Sequence, residues 1–352
     1  MSIDKKSKLM LFPRIGKFII IFFAVAFLIV GIRGYQLYQY VFRENVSTDF
    51  VLYIPKDATY TQVTDSLTLH NTLKSMKAFN WVSKRKSYDK AVKTGRYLLK
   101  TGMNTNQIVN MLKGGLQTPL NVTFNNVRTK EDLAGKVGKY LQTDSISILE
   151  LFTDTFQIKK YGFTEETYSA MFIPNTYEFF WTTSAKEFAD RMKLEYDRFW
   201  NDERKKKAEE IKLSPVEVTT LASIVQAETA KNEELKTIAG LYINRLNHGM
   251  YLQADPTVKF AVGDFSLKRI LNIHLEIDSP YNTYKYVGLP PGPINFPETS
   301  AIDAVLNFEK TKYYYMCAKE DFSGYHNFAA TLAEHNRNAA KYRAALNRNK
   351  IK

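Results

Sequence analysis

Cysteine is almost absent: the 352-residue chain has one, Cys317, which excludes an intrachain disulfide. Its setting, TKYYYMCAKE, alternates like a strand, so the thiol reads as a small packing group and not as a nucleophile. Histidine is also scarce. The five are scattered without zinc-ligand spacing, and neither a metal nor a cofactor is expected. His326 and His335, in HNF and EHN contexts, read either as cleft-lining groups or as structural hydrogen-bonding residues. Acidic residues are outnumbered, 36 against 49 lysines and arginines, and the net charge of +13 calls for an anionic partner. No nucleic-acid module or basic motif with interleaved aromatics is present, so nucleic acid is not that partner. A hydrophobic content of 45% with 14% aromatics excludes a disordered chain, and the length accommodates two or three domains.

Long apolar runs are limited to one. Phe18 to Ile32 reads FIIIFFAVAFLIVGI, and Ile15, Gly16, Gly34 and Tyr35 extend it to about 20 residues if Lys17 and Arg33 snorkel, enough to cross a bilayer. Lys5, Lys6, Lys8, Arg14 and Lys17 precede it against a single Asp4, which keeps the N-terminus in the cytoplasm and places the rest outside. No A-x-A-like cleavage site follows, so the segment over 18–40 is read as an uncleaved anchor after a basic tail over 1–17. Tyr35, Tyr38 and Tyr40 suit either an interfacial aromatic belt or the start of a juxtamembrane helix.

Beyond the anchor, strand, turn and capped helix recur. FVLYIPKDATYTQVTDSLTLH has Thr59 and Gln62 spaced as a capping box, GRYLLKTGMNTNQIVNMLKGG has Asn104 and Gln107, and LNVTFNNVRTKEDLAGKVGKYL has Thr129 as a cap. With a helical stretch around Ala78 to Ala91, the pattern predicts a small α+β module over 48–118. Residues 119–213 connect onward, with an aromatic-rich MFIPNTYEFFWTTSAKEF suited to core packing or to stacking on sugars. The DERKKKAEEIK stretch from Asp202 to Lys212 reads as a solvated helix face.

The chemistry is concentrated after Ser214. Ser214, Pro215 and Glu217 start a helix with a capping box, and Leu221, Ile224, Val225 and Glu228 recur on one face of it. A carboxyl held against apolar side chains loses hydration, and its pKa rises as a general acid near neutral pH requires. The competing reading is a helix-end glutamate reaching water. A second helix is predicted over about 233–246, ended by Asn247, His248 and Gly249. Then LQADPTV places Gln253, Asp255 and Thr257 on a turn, either lining a cleft or forming an ordinary Asx-turn, because Asp255-Pro256 breaks a helix. YNTYKYVGLPPGPI supplies Asn282, Thr283 and Tyr284 ahead of a stiff loop from Gly288 to Pro293.

The segments LASIVQAETA, IAGLYINRLNHGMYLQADPTVKFAVGD and YNTYKYVGLPPGPI closely resemble the endolytic murein transglycosylases of the MltG (YceG-like) family, by motif over about the last 140 residues and by layout over the whole chain. The resemblance implies an α+β protein: a single transmembrane helix, a LysM-like module over 48–118 and a mixed α+β catalytic domain over 214–347. It implies Glu228 as the catalytic acid/base, with Asn244, Gln253, Asp255, Thr257, Asn282 and Tyr284 contacting substrate. Many members carry a glutamate where this chain has Gln226, a position about 200° away around the helix and so off the catalytic face. The family's Asn-Pro-Gly-like turn is replaced by Phe296-Pro297-Glu298.

The implied reaction is membrane-tethered, endolytic cleavage of nascent peptidoglycan between N-acetylmuramic acid and N-acetylglucosamine, leaving 1,6-anhydro ends. The implied partners are the glycan strands, membrane lipid through the N-terminal helix, and peptidoglycan synthases. Two alternatives stay open: a muramidase-type hydrolase using Glu228 and Asp255, and a non-catalytic anchored glycan-binding scaffold.

Overall fold

The computed structural model describes residues 12–267 and 269–349. Lys5, Lys6 and Lys8 of the basic tail lie outside the described residues. Among the described residues the fold is mixed α+β, with three two-stranded antiparallel sheets and two compact units: residues up to 119 with 180–182, and residues 120–179 with those from 183 onward.

In the first unit the apolar run becomes helix α1, Phe12–Phe42, whose most apolar 18 residues within Gly16–Phe42 have mean hydropathy 2.4, with none of them buried. Among the described residues it is the one helix long and apolar enough to span a membrane. It continues without a break past Tyr35 and Tyr38, and Tyr40 meets Trp81 with ring centroids 6.3 Å apart, so Tyr40 belongs to the folded unit.

Strand β1 (Phe50–Ile54), helices α2 (Tyr60–Leu69) and α3 (Met76–Arg85), strand β2 (Gly95–Leu99) and helix α4 (Thr105–Gly114) follow. Phe50 pairs with Leu99 and Ile54 with Gly95. Both expected capping boxes form, Thr59 with Gln62 and Asn104 with Gln107. Leu52, Ile54, Tyr97 and Leu99 from the sheet pack against Val63, Leu67, Phe79, Ile108 and Leu112, the apolar stripes of the helices.

In the second unit, β3 (Leu120–Phe124) pairs with β4 (Asn175–Phe179) across an insertion of three short helices, α5 (Lys130–Gly138), α6 (Ser145–Glu150) and α7 (Thr155–Lys160). Thr129 caps α5 with Asp132. Most of the aromatic-rich stretch is core: Phe172, Tyr177, Phe179 and Phe188 are buried together with Phe124, while Phe180 is exposed. Helices α8 (Ala185–Phe199), α9 (Asp202–Glu210), α10 (Pro215–Glu228), α11 (Leu235–Asn247), α12 (Asp255–Val262), α13 (Asn272–Leu275) and α14 (Thr299–Leu306) come next. The hairpin β5 (Tyr315–Ala318) and β6 (His326–Ala329) and the final helix α15 (Leu332–Arg348) close the chain. Cys317 sits half-buried in β5, as its setting predicts.

Two expectations are corrected here. Helix α10 is not amphipathic: Val218 to Val225 are all buried, so it is a central helix, packed by α11, α12 and α14. Asp255-Pro256 does not break a helix but begins one, since proline's fixed φ and missing N–H suit a first turn.

Candidate active site

Helix α10 delivers Glu228 at its last residue. Ser214 Oγ accepts the Glu217 N–H at 3.3 Å and Glu217 Oε2 accepts the Ser214 N–H at 2.7 Å, fixing where the helix starts. Fourteen residues later Thr229 turns extended, with φ −141° and ψ 147°, so the Glu228 side chain leaves a buried helix where the backbone leaves it. The carboxyl opens on a cavity of about 1130 Å³ that Asp255, Gln226, Asn295 and Glu298 also line.

Burial is the main force on Glu228, and it pushes the pKa up to about 7. The Tyr242 hydroxyl of α11 opposes this by donating to Glu228 Oε1 at 2.6 Å, the negative charge of Asp255 adds to the rise, and the guanidinium of Arg245 pulls down. Arg245 is itself held: Nε donates to the Tyr314 carbonyl at 2.6 Å and Nη1 to the Leu252 carbonyl at 2.6 Å. The site therefore offers one carboxyl, protonated near neutral pH yet able to ionise, with a fixed hydroxyl to stabilise the anion.

Asp255, in the first turn of α12, accepts from the Tyr284 hydroxyl at 2.6 Å, and burial with that carboxylate raises the Tyr284 pKa. The Asx-turn does not form, because the Asp255 side chain makes this long-range bond instead. Gln253 has a left-handed backbone, φ 48°, and its N–H donates to the Thr283 carbonyl at 3.0 Å, leaving its side chain exposed.

The other three expected substrate contacts face inward. Thr257 Oγ1 donates to the Ala254 carbonyl at 2.7 Å and lies 2.8 Å from Thr283 Oγ1, buried. Asn282 Nδ2 donates to the carbonyls of Leu275 and Ile277 at 2.8 and 2.9 Å, while Oδ1 accepts the Tyr284 N–H at 3.1 Å. Asn244 Nδ2 donates to the carbonyls of Thr311 and Tyr313 at 2.9 and 3.0 Å. These groups fix the loops that carry Asp255, Tyr284 and β5; their amide and hydroxyl hydrogens are already taken.

Gln226, expected off the catalytic face, lines the same cavity as Glu228 and has a partner of its own. Its Oε1 accepts the Glu298 N–H at 2.7 Å, so two positions that depart from the family pattern meet, and both line the cavity. Asn295 Nδ2 donates to the Ser223 carbonyl of α10 at 2.8 Å, and Ser223 Oγ accepts the Ile294 N–H at 3.0 Å, stitching residues 294–298 to the catalytic helix. His326 is structural: its N–H donates to Glu234 Oε1 at 2.8 Å, and its Nδ1 lies 2.9 Å from Glu234 Oε2. His335 stacks on Tyr315 with centroids 5.4 Å apart, outside the cavity lining. Sequence reading missed Tyr242, Asn295 and Glu234, because a tyrosine in LYINRL or an asparagine in PINFP carries no signal until two helices or a loop and a helix are placed side by side.

A match to the YceG-like family runs over residues 52–341. An endolytic murein transglycosylase of Bacillus subtilis (strain 168) is 30% identical over 91% of this chain and 92% of its own. One of Streptococcus pneumoniae (strain D39) is 28% identical over 93% of this chain and 65% of its own, so the chain spans about two thirds of that relative. The crystal structure of a YceG-like protein from Listeria monocytogenes is similar with a TM-score of 0.53 and 29% identity, covering 82% of this chain and 98% of that one.

Proposed function

Because the chain belongs to the YceG-like family, we propose that it is a membrane-anchored lytic transglycosylase that cleaves nascent peptidoglycan strands internally, with Glu228 as its acid/base. The observation that carries this is the Glu228 carboxyl, its pKa raised to about 7 and its Oε1 bound by the Tyr242 hydroxyl, at the edge of a cavity large enough for several sugars. In the neutral form it protonates the glycosidic oxygen between N-acetylmuramic acid and N-acetylglucosamine as that bond breaks. The resulting carboxylate, steadied by Tyr242, takes the proton of the muramoyl C6 hydroxyl as O6 bonds to C1. The proton is returned, no water is consumed, and the product is a 1,6-anhydro end.

Asp255, Tyr284 and Gln253 are the expected residues that meet the sugars, while Asn244, Thr257 and Asn282 hold the loops that present them. Helix α1 anchors the chain in the cytoplasmic membrane with its N-terminus inside, and the module over 48–118, from β1 to α4, is LysM-like and orients glycan. Peptidoglycan synthases are the natural neighbours of an enzyme that acts on new strands. Asp255 also favours a second reading, a hydrolase in which it activates water, since its charge acts on Glu228.

The test is to incubate the full chain in detergent with uncrosslinked strands and to weigh the fragments. Anhydro-ended fragments from the wild type and none from Glu228→Gln support the proposal. Reducing ends that vanish in Asp255→Asn support the hydrolase, and binding without cleavage makes the chain a scaffold.

A further inference from the structure

The same cavity carries a basic wall that the bond-breaking chemistry does not use. Lys259 lies one turn along α12 from Asp255, on the same face of that helix. Arg128, just before the α5 cap, holds its guanidinium 5.5 Å from the ring centre of Phe265, and Arg269 follows on the segment after α12. All three, with Phe265, line the cavity. Among the described residues none of the three has an acidic partner within ion-pair distance. Lys259 donates to the Leu267 carbonyl, which leaves two ammonium hydrogens, and the aromatic face under Arg128 leaves the guanidinium edge open. The cavity's acids are otherwise engaged: Glu228 with Tyr242, Asp255 with Tyr284, and Glu298 Oε1 with the Asn126 N–H at 2.8 Å.

The N-acetylated sugar rings of the substrate are neutral. On an uncrosslinked strand the formal negative charges are the carboxylates of the stem peptides, hung from the muramoyl residues that flank the cut. We propose that Arg128, Lys259 and Arg269 bind stem-peptide carboxylates and so select strands that still carry free, unamidated stems. This rests on the function proposed above and names the part of the substrate that the cavity reads besides the glycosidic bond. Arginine suits the task through its paired N–H groups, which meet both oxygens of a carboxylate, and lysine through a point charge.

The experiment compares kcat/KM of the full chain on two preparations of one strand pool, with stem carboxylates free or converted chemically to carboxamides. The wild type should prefer the free form by about tenfold, as three partly exposed charge contacts allow, and the preference should fall with added salt. In R128Q/K259Q/R269Q the ratio should collapse toward one, while R128K/R269K, which keeps the charge, should retain most of it. Equal cleavage of the two pools by the wild type, or an undiminished ratio in the glutamine variant, overturns the inference and leaves the lytic activity standing. If neither pool is cleaved, the lytic function falls instead, and binding of the same two pools to Glu228→Gln decides the basic wall: tighter binding of free-stem strands supports it, and equal binding refutes it.

Discussion

At the residue scale, the reactivity of Glu228 is a balance between burial and three neighbours, and each neighbour can be removed with a predictable sign. An acid catalyst must be protonated in the free enzyme, so kcat/KM should decline as pH rises past about 7. Tyr242 favours the anion, so Tyr242→Phe should move that decline to higher pH; Asp255 disfavours it, so Asp255→Asn should move it lower. Shifts in the same direction in the two pH–rate profiles would contradict the assignment. The linkage to folding has its own sign. The folded pKa of Glu228 lies above the ordinary 4.5, so the folded protein holds a proton that the unfolded chain releases between those values. Its stabilising contribution is complete below about 4.5 and is lost as pH rises through 7. Glu228→Gln lacks this slope, and thermal melts should show it gaining on the wild type between pH 5 and pH 8; a constant difference would show that the carboxyl is not perturbed.

At the scale of elements, the site depends on a close approach of helix α11 to the loop that follows α14. A Cβ on Gly240 of α11 would stand 2.1 Å from the Glu309 carbonyl oxygen, and one on Gly292 would stand 1.9 Å from that of Glu166. Neither neighbour is a flexible side-chain tip, so Gly240→Ala should cost roughly 1–3 kcal/mol in denaturant titrations and displace Tyr242, lowering activity beyond the loss of folded protein. Full activity in the folded fraction would show that α11 tolerates the shift. Much of this level was legible in the sequence. Local signals dominate at helix starts, and for that reason the capping boxes at Thr59, Asn104 and Ser214 were readable, as were the strands that precede the first two. The Asp255-Pro256 reading failed because proline marks both helix ends and helix starts, and only the Thr257–Thr283 pairing, 26 residues apart, selects the start. Asn244, Thr257 and Asn282 were readable as important residues, but whether an amide turns inward or outward is decided by backbone carbonyls distant in sequence, such as Thr311 for Asn244.

At the scale of the whole molecule, the anchor and the folded chain meet at Asn45. Its Nδ2 donates to the Ser75 carbonyl and to Thr105 Oγ1, each at 3.1 Å, and its Oδ1 accepts the Ser75 N–H at 2.7 Å, all buried or nearly so. Val46, beside it, is fully buried. A soluble form cut at residue 46 should therefore melt at a lower temperature than one cut at residue 42, because loss of Asn45 strands buried partners at about 1–3 kcal/mol. Equal melting temperatures would show that the network adds little. Tethering by α1 restricts the reach of the enzyme to strands near the membrane, so the soluble form should trim mature wall more readily than the anchored one, which release of labelled fragments from isolated sacculi measures; equal release would count against that restriction.

The central claim is that one carboxyl breaks the glycosidic bond without water. Cleaving uncrosslinked strands in ¹⁸O-labelled water and weighing the new muramoyl ends tests it: the account predicts anhydro ends with no label from the wild type and no new ends from Glu228→Gln, whereas ends carrying one ¹⁸O would identify hydrolysis and contradict it.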